Sequence, residues 1–208
     1  MKLLTLPALV VLAAAAIAAD DEKDFKPLFN GKDMTGWHVR KPDAHNGWKV
    51  EDGILKNELN KGEHGVDLIT DGKFFNFVVR YEYQVPDGSN SGFYLRGRHE
   101  IQILGDYKSG KVAKGGNGAI YNHKEPSEFV SKPGGEWQTA EATMIGKKIT
   151  VILNGKKIHD NVECDHATGS QLDSNVNEPG SFFLQGDHGS VSFRNIRVKE
   201  LPGEAAGK

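Results

Sequence analysis

Between Asn90 and Leu104 the side chains alternate with a period of two on both sides of Gly97, and this stretch restricts the possible folds more than any other. Phe93, Leu95, Ile101 and Ile103 fall on one face, while Tyr94, Arg96, Glu100 and Gln102 fall on the other. Directly opposed residues of an antiparallel pair share a face. The sorting therefore predicts a hairpin closed by three residues, Gly97-Arg98-His99, with Arg96 opposite Glu100 and Tyr94 opposite Gln102. A two-residue loop would set Leu95 against Glu100 and mix the faces. The polar face then gathers a cation, a carboxylate, an amide and an aromatic ring, an inventory suited to gripping a sugar.

The same grammar runs through the chain. Asp52-Gly53 separates Trp48–Val50 from Ile54–Leu55, and Asn154-Gly155 separates Ile149–Leu153 from Lys156–His159; both dipeptides accept the positive φ of tight hairpin turns. From Phe74 to Val85 the alternation is strict, with Phe77, Val79, Tyr81, Tyr83 and Val85 inward and Arg80, Glu82 and Gln84 outward. Tyr121, Trp137–Ile145, Ser181–Gln185 and Val191–Val198 supply the remaining strands. In the last of these, Val191 and Phe193 take one phase and Ile196 and Val198 the other, which predicts a bulge near Asn195. No amphipathic helix of convincing length interrupts the pattern. The fold class is all-β: a two-sheet antiparallel sandwich or jelly roll, in which one sheet's outer face can be concave. Residues 106–118 and 161–180, rich in Gly, Lys, Asn and Asp, read as rim loops of a cleft or as plain connections.

Composition narrows the function classes. With 26 Lys+Arg against 28 Asp+Glu, and the basic residues scattered, the chain offers no field for nucleic acid or an anionic membrane. Met1–Ala19, with Lys2, an apolar run and small residues before an acidic cluster, reads as a signal peptide, which predicts a soluble periplasmic or secreted protein without membrane insertion. About 190 residues, 20–208, remain for a single domain. Cys164 is the lone cysteine, so no internal disulfide forms. Cys164-Asp165-His166 suggests a ligand group, but no zinc spacing surrounds it, and the cysteine reads as structural. No His pair stands at a recognised ligand spacing, so no metal or other cofactor is required by the sequence; a divalent metal held by loop carboxylates and carbonyls is left open.

Several separated motifs carry a family resemblance. They are Leu28–Asp33 with Gly36-Trp37, Trp48–Leu55, Asn90-Ser91-Gly92, Glu100–Leu104, Gly118–Tyr121, Gly135-Glu136-Trp137, Leu153-Asn154-Gly155, Leu184–Gly189 and Phe193–Ile196. In this order the chain resembles the 3-keto-disaccharide hydrolase domain family, over essentially all of its length after the leader. The resemblance implies a concanavalin A-like jelly roll, export in bacteria, and action on oxidised glycosides. Members often place Asp directly after the Gln-Ile-Leu run; here Gly105 intervenes, so no role is carried onto Asp106.

The reaction so implied starts from an oxidised di- or oligosaccharide or other glycoside whose C3 hydroxyl has become a ketone through a separate sugar 3-dehydrogenase. The ketone acidifies the C2 hydrogen. A base removes that proton, a donor holds the enolate oxygen, the C1 substituent leaves, and water adds. Glu100 is the first choice for the base, Arg96 for charge stabilisation with Gln102 and Asn90, and His188 for the acid that protonates the leaving group. Tyr94, Tyr121, Trp137, Gln185 and Arg194 are the further candidate sugar contacts. Each has a plainer reading beside it: Arg96–Glu100 as a cross-strand ion pair, Asn90 as a turn residue, Trp137 and Tyr121 as core, Arg194 as a tie between strands, Gln185 and His188 as turn polarity. Two other functions compete. A conventional glycosidase would use Glu82 and Glu100 as its carboxylate pair, and a non-catalytic carbohydrate-binding module would use the same face without proton transfer.

Overall fold

The computed structural model describes residues 22–203, so the expected leader Met1–Ala19 lies outside the described residues. In chain order the strands are β1 (Lys26–Pro27), β2 (Trp37–Val39), β3 (Trp48–Glu51), β4 (Ile54–Asn57), β5 (Leu68–Thr70), β6 (Phe77–Gln84), β7 (Asn90–Leu95), β8 (His99–Leu104), β9 (Gln138–Ile145), β10 (Lys148–Leu153), β11 (Lys156–Glu163), β12 (Phe183–Leu184) and β13 (Val191–Glu200). They form two antiparallel sheets. One has the order β11-β10-β9-β6-β13-β4-β3 with β1 also paired to β13, and the other β2-β5-β12-β7-β8. No helix among the described residues is long and apolar enough to cross a membrane.

The two Asx-Gly dipeptides turn as expected. Glu51 faces Ile54 across Asp52 (φ 51°) and Gly53 (φ 77°), and Leu153 faces Lys156 across Asn154 (φ 51°) and Gly155 (φ 79°). β6 buries Phe77, Val79, Tyr81 and Tyr83, as its alternation requires. In β13 the pairing with β6 slips between Arg194 and Arg197, where Asn195 takes φ 54°, and this bulge lets both Phe193 and Ile196 point into the core. The sheets meet through rings. Tyr81 of β6 stacks on Phe93 of β7 at 4.0 Å, and Phe77 meets Phe182 edge-on at 4.7 Å. Each such buried aromatic contributes about 1.5–3 kcal/mol of transfer free energy, so this interface is what holds the sandwich shut.

The β7–β8 hairpin corrects one expectation. Tyr94, not Arg96, pairs with Glu100; Gly92 pairs with Gln102 and Leu95 with His99, so the three-residue loop is Arg96-Gly97-Arg98. Its first two residues sit at φ 52° and 67°. A shift of two residues leaves every side chain on its face, so alternation has no power to choose between the two registers. What decides is the anchoring of the loop arginines. Arg96 Nε donates to Phe75 O (2.8 Å), its guanidinium lies 4.1 Å from the Phe75 ring centroid, and Arg98 pairs with Asp173 at 2.6 Å.

In the five-stranded sheet, one cross-strand row reads His38, Ile69, Phe183, Tyr94, Glu100, and the neighbouring row reads Val39, Leu68, Leu184, Phe93, Ile101. The second row from Leu68 onward belongs to the core. The first faces outward, yet Ile69, Phe183, Tyr94 and Glu100 are all buried. Leu172 packs on this small outer cluster, and Arg40 donates to the carbonyls of Ser170 and Gln171 (2.9 and 3.0 Å), so the loop after β11 covers this face. A carboxylate on an outward row thus ends up out of water.

Candidate active site

A cavity of about 350 Å³ opens on the outer face of the five-stranded sheet, lined by Asn90, Tyr94, Glu100, Gln102, Leu104, Gly115, Tyr121, Asn122, Ser170, Gln185 and His188. That volume lies in the range of small-molecule sites. Residues 115 and 170 belong to the two loops expected at a rim. A larger depression of about 430 Å³ lies elsewhere, lined by Gln84, Gly134 and Ser190 among others. Its carboxylates are engaged in ion pairs, Glu58 with Lys49 and Asp87 with Lys108, both at 2.7 Å, which leaves it without a free acid or base.

Glu100 is the chemical centre of the smaller cavity. Its backbone N–H donates to Thr168 Oγ1 (2.9 Å), its carbonyl accepts from Tyr121 N (3.0 Å), and its Oε2 accepts from the Tyr94 hydroxyl (2.7 Å). The Gln102 amide satisfies its surroundings best with its nitrogen toward Glu100 Oε1 (2.8 Å) and Ser91 O (3.3 Å), its other atom lying 3.0 Å from the Asn90 amide. Room for the carboxylate comes from Gly92, where a Cβ would run into Glu100 Oε1. Burial lifts the Glu100 carboxyl to about 7, against the pull of the Tyr94 hydroxyl and of His188, while Asp187 and Asp67 add to the rise. Tyr94, stacked on Phe183 at 3.7 Å, has its phenol pushed well up by burial and then by Glu100, so it remains a hydrogen-bond donor.

The wall opposite β8 is built from the turn after β12. Gln185 N donates to Gly92 O (2.9 Å), and Asn57 Nδ2 donates to the carbonyls of Gly186 and Gly189 (both 2.9 Å), which fixes the turn that carries Asp187 and His188. His188 is solvent-exposed, and its Nδ1 is in short contact with Asp187 Oδ1. Gln185 Oε1 is buried without a partner, an open acceptor in the wall of the cavity.

Seven of the ten residues singled out in the sequence therefore meet here: Glu100, His188, Asn90, Tyr94, Gln102, Tyr121 and Gln185. Three do not. Arg96 is 1 % exposed and fixed to backbone carbonyls behind the hairpin, where burial and then Arg98 lower its guanidinium to about 10, so it is no charge stabiliser for a substrate. Arg194 belongs to the other sheet, and Trp137 directly precedes β9 of that sheet. The Arg194 guanidinium lies 4.1 Å from the Trp137 ring centroid and 2.7 Å from Glu82, which makes Arg194 a strand tie. Glu82, on β6, is likewise on the opposite side of the sandwich from Glu100, so the carboxylate pair suggested by alternation is split between sheets. Asp106 is structural too: it accepts from Asn117 N and Ser131 Oγ, both at 2.9 Å.

The family model described as 3-keto-alpha-glucoside-1,2-lyase-like domain matches residues 24–199. The chain belongs to that family. A relative from Bacteroides thetaiotaomicron, a 3-keto-disaccharide hydrolase, is 28% identical over 236 aligned positions that cover 87% of this chain and 80% of the relative. A crystal structure from Parabacteroides distasonis ATCC 8503, described as a candidate glycosyl hydrolase, superposes with a TM-score of 0.70 at 29% identity and covers 86% of this chain and 84% of its own. The carbohydrate binding module CBM66 from Bacillus subtilis, at 10% identity and a TM-score of 0.50 over 79% of this chain and 96% of its own, shares the fold alone.

For a member of this family the sequence left several cavity residues unnoticed. Ser170 (φ 49°) and Asn122 (φ 54°) sit in left-handed backbone within irregular segments, and a loop's composition does not say which of its side chains faces inward. Asp67, whose carboxyl burial raises, accepts from Gly186 N (3.2 Å) and Arg40 (3.2 Å) in an adjoining cavity of about 290 Å³ that shares Ser170 with the first. Among the described residues, His123, Cys164 and His166 are able to gather round a metal ion, and none of them lines either cavity.

Proposed function

We propose that this protein is an exported carbohydrate-active enzyme that cleaves 3-keto-glycosides by removing the C2 proton and expelling the C1 substituent, with water adding to the product. The observation that carries the reading is Glu100: a buried carboxyl near pH 7 at the floor of a polar cavity, held by a phenol and an amide. A base of that strength accepts a proton next to a ketone and can return it, which a carboxylate of ordinary acidity does poorly at neutral pH. The family, the Bacteroides relative's substrate and the polar lining all favour a sugar.

With Arg96 outside the cavity, the donor left for the developing enolate oxygen is neutral: the Asn90 amide, because the Tyr94 hydroxyl and the Gln102 amide already donate to Glu100. A preorganised amide dipole stabilises such a charge, while the phenol and the second amide steady the base. His188, exposed at the rim and oriented by Asp187, is positioned to protonate the leaving oxygen, and Gln185 Oε1 offers an acceptor to a sugar hydroxyl. The substrate's ketone comes from a separate sugar dehydrogenase, to which this activity is coupled.

The test is incubation of the protein with a 3-keto-disaccharide beside its unoxidised parent, for the wild type and for Glu100→Gln. Cleavage of the keto form alone, lost in the variant while binding persists, is the expected result. Cleavage of both sugars would replace this reading with an ordinary glycosidase; binding of the keto form without turnover by the wild type would replace it with a binding module.

A further inference from the structure

We propose that His123, Cys164 and His166 form a second site, which binds a zinc-class divalent ion and clamps together the two loops that flank the cavity. The three donors come from segments some forty residues apart in sequence, and one ligand atom of each lies within 4.8 Å of the others. Tetrahedral zinc with a sulfur at about 2.3 Å and nitrogens at about 2.0 Å spaces its donors by about 3.3–3.6 Å, so closure requires a shift of roughly 1 Å. The His166 side chain is 59% exposed, so the group is open to ions from solution on that side.

The imidazoles are already oriented. His123 Nε2 lies 2.8 Å from Glu163 O, and His166 Nδ1 lies 3.0 Å from the Asp165 carboxylate. An N–H donated to each of these acceptors leaves the other ring nitrogen unprotonated, the tautomer in which histidine binds a metal with a carbonyl or carboxylate behind it. The rings meet edge-on with centroids 5.0 Å apart. The backbone of the group is held from both sides: His123 N donates to Ile120 O (2.9 Å) and Cys164 N to Lys147 O (2.9 Å). One thiolate and two imidazoles form a donor set that favours zinc over the hard, oxygen-seeking magnesium and calcium, and water completes the fourth position.

The placement gives the ion a task. His123 directly follows Tyr121 and Asn122, which line the cavity; His166 is two residues before Thr168, whose hydroxyl accepts from Glu100 N, and four before Ser170. Occupancy would join these two walls across β8. The proposal stands apart from the reaction assigned to the cavity, because its readouts do not use turnover.

Cobalt(II) titration of the whole protein tests it. The wild type should take up one equivalent, with the strong visible bands of tetrahedral cobalt and a thiolate-to-cobalt charge-transfer band; zinc should displace it and raise the melting temperature relative to chelator-treated protein. Cys164→Ser should abolish the charge-transfer band, and His166→Gln should weaken zinc binding at least tenfold and remove the thermal shift. His166 is exposed, so its variant decides the matter alone if Cys164→Ser, at a buried position, fails to fold. Cobalt bound without the thiolate band, or zinc affinity unchanged in His166→Gln, would overturn the proposal.

Discussion

Burial holds the Glu100 carboxyl at about 7, and with Glu100 as the proposed base this couples activity to stability at a single residue. Because the folded value lies above the ordinary 4.5, Glu100 favours the folded state fully below about pH 4.5, and that contribution disappears as pH rises through about 7. In alkaline solution the buried carboxylate therefore costs about 3 kcal/mol relative to a neutral side chain. Glu100→Gln should lower turnover of a 3-keto-disaccharide by about 10²–10⁴-fold and at the same time raise the melting temperature at pH 8 while leaving it nearly unchanged at pH 4.5, a crossover that calorimetry at the two pH values will read. The wild-type rate should climb with pH through about 7 as the base ionises. Gly92 serves the same residue by vacancy. Gly92→Ala, whose methyl would strike Glu100 Oε1, should cut turnover by at least tenfold with a smaller effect on the urea midpoint, because the displaced group is the proposed base.

At the scale of elements, the placement of polar residues on two different sheets separates machinery from scaffold. Arg194 on β13 and Glu82 on β6 pair across one sheet, and Trp137 lies under the Arg194 guanidinium, whereas Glu100 on β8 belongs to the other sheet. Arg194→Ala should accordingly leave the kcat and KM of the keto-sugar reaction within about twofold of wild type, and any loss should appear as stability of no more than about 1–2 kcal/mol in denaturant titration, the range for a partly exposed ion pair with a stacked ring. The bulge at Asn195 belongs to this scaffold: it re-phases β13 so that Ile196 and Val198 join Phe193 in the core. The loop after β11 is where scaffold and machinery meet. Arg40 and Leu172 bring it onto the outer row of β8, and it is this cover that takes an outward-facing glutamate out of water and lifts its carboxyl.

Across the whole molecule, His99 registers how dry the interior is. It is 0% exposed on the inward face of β8, and neither ring nitrogen makes a hydrogen bond of good geometry, although the carbonyls of Leu95 and Cys164 lie near enough to favour its cation slightly. Burial, then the positive charge of Arg96, lowers it to about 4. A folded value below the ordinary 6.5 means that the unfolded chain binds the proton first, so stability is full above about pH 6.5 and falls by about 3 kcal/mol as pH drops to about 4. His99→Leu should flatten that acid limb, measured as urea midpoints at pH 7 and 4.5; an unchanged slope would place the acid sensitivity elsewhere. The sequence by itself determined the all-β class, the Asx-Gly hairpins, the bulge in the last strand, and the face on which each residue of β6, β7 and β8 lies, because all of these follow from local alternation and from backbone conformations that single residues accept. Only the tertiary structure decided the rest. Alternation is blind to a shift of two residues, so the loop arginines chose the hairpin register; it marks outward without saying outward from which sheet, so Glu82 and Glu100 looked like neighbours; and it carries no information on contacts between distant loops, so Ser170 in the cavity and His123 beside Cys164 became visible only once the strands between them had paired.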